Sequence, residues 1–513
     1  MKLIKIYTGH VQLRTDDEEF RDIRINDLLS VSDGDVELVA SVDCLINTDV
    51  EDGIGGDDFI AELPGMKTLD CSIIGSVREG RFVKAIDRYP PADVVITRID
   101  NQKFSYMLGG DFTKGFYIGD YVGHDTPAYI DGNKLYQRHS CIVGNTGSGK
   151  SETLAKILEE TSRLPGANLI LFDIHGEYGK LSYVDNIRLG PDFPFPLWLL
   201  GFQDVVANLF RVKEESATVV SSALRKCFKK LCPDADEGKP HYFDFNELRG
   251  EIASLNDSVV ITGYTKEGTP KTAKGEYNGK LTGILNLMKN LSSDKRYSFL
   301  FSREGQEYLP LLINRMMGGN KPVKNIDLSG VPHDVAIPII GAVTKLVFDI
   351  QRRTGPDFRP ITLVCDEAHV YIPDNYQLSA SERRMVEVFE GIAKEGRKFG
   401  ITLFVASQRP SELNKTIMAQ CAGFIVGKLN NENDKSMIKG LLPEGNESVV
   451  DSASMFSPGD VLVVGDTAPI PLKIHVELAK ERPQSRTIDF WDEWGRRGRA
   501  QDYSGLVEKY LDE

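Results

Sequence analysis

The stretch that decides the fold is Gly144-Asn145-Thr146-Gly147-Ser148-Gly149-Lys150-Ser151, spaced G-x-x-x-x-G-K-S. His139 to Val143, just before it, reads as a short buried strand. Leu154, Ile157 and Leu158, just after it, fall on one helical face. Strand, glycine-rich loop and helix, in that order, is the context in which this spacing cradles a polyphosphate. Glycines let the backbone bend around the anion, so that successive N–H groups and the helix N-terminus face it. Contacts to ATP are therefore expected from Gly144, Asn145, Thr146, Gly147, Ser148, Gly149, Lys150, Ser151 and Glu152. In this reading Lys150 reaches the β- and γ-phosphates and the Ser151 hydroxyl sits on Mg²⁺.

Three further strands carry polar tips. Ile361-Thr362-Leu363-Val364-Cys365 runs into Asp366-Glu367-Ala368-His369. An apolar strand ending in Asp-Glu is the metal-and-base strand of a P-loop NTPase: Asp366 holds Mg²⁺ through water and Glu367 polarises the attacking water. Gly400 to Gln408 is a buried strand whose Gln408 is placed to sense the γ-phosphate. Arg397 and Arg409 flank it and are candidates for charge stabilisation, Arg397 across a subunit boundary; either arginine is alternatively a structural ion pair. The third strand, Ala167 to Asp173, continues as Ile174-His175-Gly176-Glu177-Tyr178 and sets polar groups at the C-terminal edge of the sheet, where α/β folds bind ligands. His175 there is as consistent with capping a turn as with chemistry.

The 513 residues exceed one core, and two or three domains are expected. A hydrophobic content of 41% and a charged content of 27% are those of a soluble globular protein. The longest apolar runs are too short to span a bilayer, and Met1 to Tyr7 lacks a signal-peptide core. Seven cysteines, an odd number without a C-x-x-C pair, read as reduced cytoplasmic thiols without a zinc site.

Residues 1–125 show short alternating segments (Val36 to Val42, Ser72 to Val77, Val94 to Ile99) punctuated by Gly53, Gly55, Gly56, Pro64, Gly65, Pro90 and Pro91. A short helix is possible at Glu19 to Leu29; the rest is the pattern of a small β-barrel. This part holds 13 Lys and Arg against 24 Asp and Glu, most of the chain's net charge of −14. Such a surface suits protein docking better than nucleic acid. Residues 126–480 alternate buried strands with helices. Residues 196–320 form a mainly helical insertion within them. Basic residues gather there at Arg211, Lys213, Arg225, Lys226, Lys229 and Lys230, and again at Lys266, Lys271, Lys274 and Lys280. The second group is expected to be a mobile basic loop able to reach phosphates in a pore; a solvated face is the plainer reading. Later strands are expected at Val323 to Leu328, Phe424 to Leu429 and Asp460 to Val464, with an edge strand at 470–476. Helices are expected at Val335 to Arg353 and Ala380 to Gly396. Residues 481–513 form a polar tail with Trp491, Trp494 and a helix from Tyr503 to Leu511.

These boxes together, from Arg138-His139-Ser140-Cys141-Ile142-Val143 into the phosphate loop, through Asp173 to Tyr178, Ile326 to Gly330, Asp366-Glu367-Ala368-His369 and Glu395-Gly396-Arg397-Lys398-Phe399-Gly400, to Ser407-Gln408-Arg409-Pro410, resemble the HerA family in order and spacing over nearly the whole chain. HerA proteins resemble the FtsK branch of hexameric DNA-translocating ATPases. The resemblance implies an N-terminal barrel at 1–125 and a RecA-like α/β motor at 126–480 with a helical insertion. It implies a C-terminal brace at 481–513 and a homo-hexamer around double-stranded DNA. By motif, Lys150, Ser151, Asp366, Glu367 and Gln408 match the family's catalytic positions, and Arg397 its proposed trans-acting arginine. Relatives work with a nuclease in DNA end processing, or with a sirtuin-like NAD-consuming enzyme or nuclease in antiphage defence. The acidic barrel suits docking of such an effector.

The Asp-Glu-Ala-His box alone would suit a two-lobed helicase, but the chain after it only completes the first sheet. One lobe per chain needs a neighbour to close the nucleotide site, which favours a ring. Two rival readings stand beside the motor: a scaffold ring that assembles an effector under ATP control, and a secretion-type ATPase at a membrane, which the missing transmembrane segment disfavours.

Overall fold

The computed structural model describes residues 1–48, 66–91, 93–108, 115–124, 126–190, 193–212, 218–235, 240–354, 359–374, 377–442, 450–468, 470–471, 473–485, 489–496, 504, 505 and 507. Gly53 to Gly65, Lys213 and most of the expected 503–511 helix lie outside them.

The N-terminal sheet is antiparallel. It contains β1 (Lys2–Tyr7), β2 (His10–Thr15), β3 (Leu28–Ser32), β4 (Glu37–Thr48), β5 (Met66–Arg78), β6 (Arg81–Val83) and β7 (Val95–Arg98). The order is β1-β2-β5-β4-β3-β7, with β6 beside β5. Bulges in the β4–β5 ladder at Val39/Ala40 and Val42/Cys44 bend these two long strands over a core of Val11, Leu13, Leu29, Val31, Leu38, Leu69 and Cys71. Among the described residues β1 and β7 end the strand order without pairing each other, so the expected barrel is a curled half-barrel. The helix expected at Glu19 to Leu29 is shorter and earlier, Asp17–Asp22, capped by Asp16. Asn26 takes a left-handed φ of 73°, and Leu28 and Leu29 pair in β3 instead, where both are buried. Tertiary pairing overrides a local helical period here.

The large sheet adds β8 (Gly115–Tyr121), β9 (Pro127–Asp131), β10 (His139–Val143), β11 (Leu169–Asp173) and β12 (Val184–Arg188). An isolated hairpin follows, β13 (Val259–Tyr264) and β14 (Pro270–Lys274). The sheet then takes β15 (Val323–Asp327), β16 (Ile361–Cys365), β17 (Ile401–Ser407), β18 (Cys421–Val426), β19 (Asp460–Gly465) and β20 (Lys473–Val476). Its order is β12-β15-β11-β16-β17-β10-β18-β19-β20-β8-β9. From β12 to β18 all neighbours are parallel; from β18 onward they are antiparallel. β10, β11, β15, β16 and β17 are buried along their whole length; β11, β16 and β17 read as largely apolar runs for that reason, whereas β15 buries Lys324 and Asn325 as well. Helices Lys150–Ser162, His333–Arg353 and Ala380–Glu395 cover the faces. The last two pack on each other, and Ser379 and Glu382 form a capping box at the start of the third.

The passage from one sheet to the other falls between Arg98 and Gly115, because β8 pairs with β20 and β9. The segment expected at the edge, 470–476, is interior for the same reason: β20 has β19 on one side and β8 on the other. The insertion holds an aromatic cluster, with Phe202 and Phe228 stacked at 4.0 Å between ring centroids. The expected basic loop is an ordered hairpin: Val259, Val260 and Ile261 pair with Lys274, Ala273 and Thr272 across a turn that uses Gly268 at φ 83°. Of the other basic residues, Lys230 pairs with Glu251 and Arg211 with Asp334. All seven cysteines are free thiols. Among the described residues no helix is long and apolar enough to cross a membrane. Trp491 and Trp494 lie exposed on the helix Phe490–Arg496.

Candidate active site

β10 delivers the chain to the C-terminal edge of the sheet between β17 and β18. There the phosphate loop is tied to both neighbours. Gly144 N–H donates to the Ser407 carbonyl (3.3 Å), Asn145 N–H to Lys428 (2.9 Å) and Gly427 N–H to Val143 (2.7 Å). Gly147 and Gly149 sit at φ 77° and 91°, where an L side chain is strained. A Cβ on Gly149 would lie 3.0 Å from the Gly459 nitrogen, and Gly459 N–H itself donates to Ser148 O at 3.0 Å. The turn into β19 thus braces the loop from behind. The helix that follows has no side-chain cap at Gly149. Its first N–H groups are left for an anion, as the loop chemistry requires.

Lys150 is buried and points back across the strand tips. Its Nζ lies 2.9 Å from Asp366 Oδ1 and 2.7 Å from Glu367 Oε1. Burial works against the charged amine, but Asp366 and Glu367 outweigh it and hold its pKa above the ordinary value. Burial likewise pushes the Glu367 carboxyl up, and the Lys150 ammonium, with hydrogen bonds from Lys150 and Gln408, brings it below its usual range. Gln408 Nε2 donates to Glu367 Oε1 at 2.5 Å, and Thr146 Oγ1 donates to Gln408 Oε1. A continuous chain therefore runs from the loop (Thr146) through Gln408 and Glu367 to Lys150 and Asp366. Glu367 adopts a left-handed φ of 46°. A non-glycine residue there stores about 1–3 kcal/mol, a cost held at functional sites by surrounding structure.

The two arginines part company. Arg409 is exposed and paired with Glu412 at 2.8 Å. Arg397 is exposed in the 3-10 turn Gly396–Phe399, and among the described residues its guanidinium has no ion pair, with neither Glu395 nor Glu390, the acids a structural pairing would use; Glu390 holds Lys394 instead. Arg397 also lies at the start of β17 and Gln408 just past its end, so roughly 20 Å of strand separates Arg397 from its own chain's site.

Sequence reading placed the loop, the acids and Gln408, and the structure brings them together. It missed His369, whose Nδ1 lies 3.2 Å from Ser407 Oγ and 3.4 Å from Glu367 Oε2, and whose pKa burial holds low despite that carboxylate. It also left Asp173, Glu177 and Tyr178 without roles. Burial raises the Asp173 and Glu177 carboxyls, and both lie within the field of Asp366. The polar tip of the Asp173 strand was the signal for them. His175 is exposed and has no part in this network.

Parallel strand order, phosphate loop and strand-tip acids define a P-loop ATP hydrolase. Residues 116–347 match the family described as "Helicase HerA, central domain". A DNA double-strand break repair helicase HerA of Sulfurisphaera tokodaii is 27% identical over 417 residues, covering 80% of this chain and 78% of the relative. A probable helicase of Methanocaldococcus jannaschii is 26% identical over 444 residues, covering 82% and 78%. Among solved structures, the bacterial conjugative coupling protein TrwBdeltaN70 is a distant likeness in shape, with a TM-score of 0.44 at 15% identity over 75% of this chain and 94% of that one. The HerA resemblance drawn from the motifs is borne out: this ATPase is related to the HerA helicases.

Proposed function

We propose that the protein is a ring-forming motor, a homo-hexamer in the cytoplasm that hydrolyses ATP with Mg²⁺ to drive duplex DNA through its pore. The half-barrel serves as a docking domain, the large sheet with its insertion as the motor and the tail as a brace. The observation that carries this reading is the hydrogen-bonded chain Thr146–Gln408–Glu367–Lys150–Asp366, open to solvent at Thr146 and buried from Glu367 on, which links phosphate loop, sensor, base and metal acid. The oxygens of a bound triphosphate compete for the Lys150 ammonium. As Lys150 turns to them, Glu367 keeps Gln408 and becomes free to polarise water. Ser151 and Asp366 offer hard oxygen donors. Among the described residues no cluster of three or more His, Cys, Asp or Glu forms a closed metal cage. That suits Mg²⁺, which takes one or two carboxylates plus substrate phosphates.

Arg397 completes the site of a neighbouring subunit, since its own lies across the sheet. DNA as substrate is supported by the relatives, which are named as DNA break-repair helicases, and by the exposed hairpin carrying Lys266, Lys271 and Lys274. A two-stranded ribbon is narrow enough to enter a DNA groove. The acidic half-barrel docks an effector, a nuclease or a sirtuin-like NAD-consuming enzyme, in DNA end processing or antiphage defence. The test is ATP turnover with and without duplex DNA, beside single-molecule displacement on a DNA track. Stimulated turnover with ATP-dependent movement is expected. Turnover indifferent to DNA, with no movement, would replace the motor by the ATP-regulated scaffold.

A further inference from the structure

A third acidic side chain reaches the phosphate loop from a strand other than that of Asp366 and Glu367. β11 lies beside β16 and ends at Asp173, after which the chain turns through Ile174 to Tyr178. Asp173 is fully buried and accepts four hydrogen bonds. Oδ1 takes Gly176 N–H at 2.7 Å and Glu177 N–H at 3.1 Å; Oδ2 takes Tyr178 N–H at 3.1 Å and Asn325 Nδ2 at 3.0 Å. Gln484, in the C-terminal segment, closes the turn from outside by donating its N–H to Glu177 O at 2.7 Å. Gly176 takes φ 72°, and a Cβ there would lie 2.8 Å from Ser329 Oγ, so a side chain at this position is strained. The Glu177 side chain is therefore presented from a rigid support.

It is presented to the phosphate loop. Ser151 lies next to both the Glu177 and the Tyr178 side chains, and Glu177 lies within the field of Lys150 and Asp366. Yet Glu177 Oε2 and Tyr178 Oη are buried and meet no protein partner in hydrogen-bonding geometry, although Tyr178 is 0% exposed. Buried polar atoms in folded proteins are almost always partnered. A carboxylate oxygen and a phenol left open beside the Ser151 hydroxyl fit the hydrated flank of a cation.

We propose that Glu177 is a positioning residue for the magnesium of the nucleotide complex, accepting a hydrogen bond through Oε2 from water on the ion that Ser151 and Asp366 hold. The proposal rests on the reading of Ser151 and Asp366 as the metal side of the ATP site. Mg²⁺ keeps several of its waters when bound, so a carboxylate that orients one acts on affinity without touching the ion. A purely structural Glu177 would leave metal dependence alone, because Oε2 bonds nothing in the protein.

The test uses the full chain and binding rather than turnover. Calorimetry with a slowly hydrolysed ATP analogue is run in EDTA and over a Mg²⁺ titration, for wild type, Glu177→Gln, Glu177→Asp and Asp366→Asn. Glu177→Gln is expected to keep its affinity in EDTA and its Tm, while needing roughly tenfold more Mg²⁺ for half-maximal gain. Glu177→Asp should recover part of that. Wild-type Mg²⁺ dependence in Glu177→Gln, with a shift in Asp366→Asn, overturns the inference and leaves the metal reading standing. No Mg²⁺ dependence in the wild type overturns both. If Glu177→Gln melts early, Glu177→Asp decides: an unchanged Mg²⁺ requirement in a normally folded Glu177→Asp chain overturns the proposal.

Discussion

Two buried lysines lie toward opposite edges of the same parallel sheet. Lys150, at the C-terminal edge, is held between Asp366 and Glu367, and these carboxylates overcome burial to keep it charged. Lys324, the second residue of β15, lies toward the N-terminal edge, and its ammonium donates to Asn168 Oδ1 at 2.6 Å, with no ion pair among the described residues. Burial, helped by the nearby Arg359 and opposed by Asp185, brings its pKa down to about 8. The residue type is the same and burial works against the charge in both; what differs is whether acids converge. Around these two lysines the acids converge where parallel strands end in loops, which marks the C-terminal edge as the proposed seat of chemistry and the other edge as structural, with Arg397 the exception to be tested.

The largest expected effect bears on that exception. Arg397→Ala rings should assemble normally and lose roughly three orders of magnitude in ATP turnover, the scale of a trans arginine in related NTPases. Mixing them with Lys150→Ala protein should restore part of the activity, because some interfaces then join an intact loop to an intact arginine. Normal turnover by Arg397→Ala alone would return the N-terminal edge to a purely structural role.

Next in size is Glu367→Gln, which keeps shape and removes charge. Turnover should fall about a hundredfold or more while calorimetry still registers nucleotide binding. Near-normal hydrolysis would dissolve the assignment of the C-terminal edge.

Lys324 sharpens the comparison through pH. Its folded pKa of about 8 lies below the ordinary 10.5. Between those values the unfolded chain holds the extra proton, so stability rises as pH climbs through that window. Below pH 8 the penalty is fully present. Lys324→Met should therefore gain on wild type by roughly 3 kcal/mol at pH 7, less the cost of leaving Asn168 unpaired, and most of that gain should be gone above about pH 10.5. Chemical denaturation at the two pH values measures it; a gap that does not change with pH would mean Lys324 is charged as Lys150 is.

Arg409→Ala should do least. The pair with Glu412 is exposed and screened by solvent, so it adds little, and turnover should stay near normal if Arg397 is the finger. A large loss would move the trans role to Arg409.

Much of this was legible in the residues. The loop, the Asp366-Glu367 tip and Gln408 are local patterns whose chemistry depends on spacing, and apolar runs such as Ile361 to Cys365 announce strands buried on both faces. The helix at Glu19 to Leu29 misled because Leu28 and Leu29 satisfy a helical period equally well, and only pairing with β4 and β7 decides between them. The 264–280 loop misled because glycines and lysines mark turns, while the valines that make it a hairpin lie outside the basic stretch.

The sequence by itself determined that the chain is a P-loop ATPase, and it pointed to the residues proposed to grip the nucleotide. These follow from covalent spacing and backbone freedom over a few residues. Only the tertiary structure decided that Lys150 bridges both acids, that Gln408 ties the loop to the base, and that Arg397 stands across the sheet from its own site. It also decided that Glu177 and Tyr178 open onto Ser151. Those facts depend on strand order, which sets residues tens or hundreds of positions apart side by side. Strand order is chosen by the burial of whole strands against whole helices, a sum over the core that no short stretch contains.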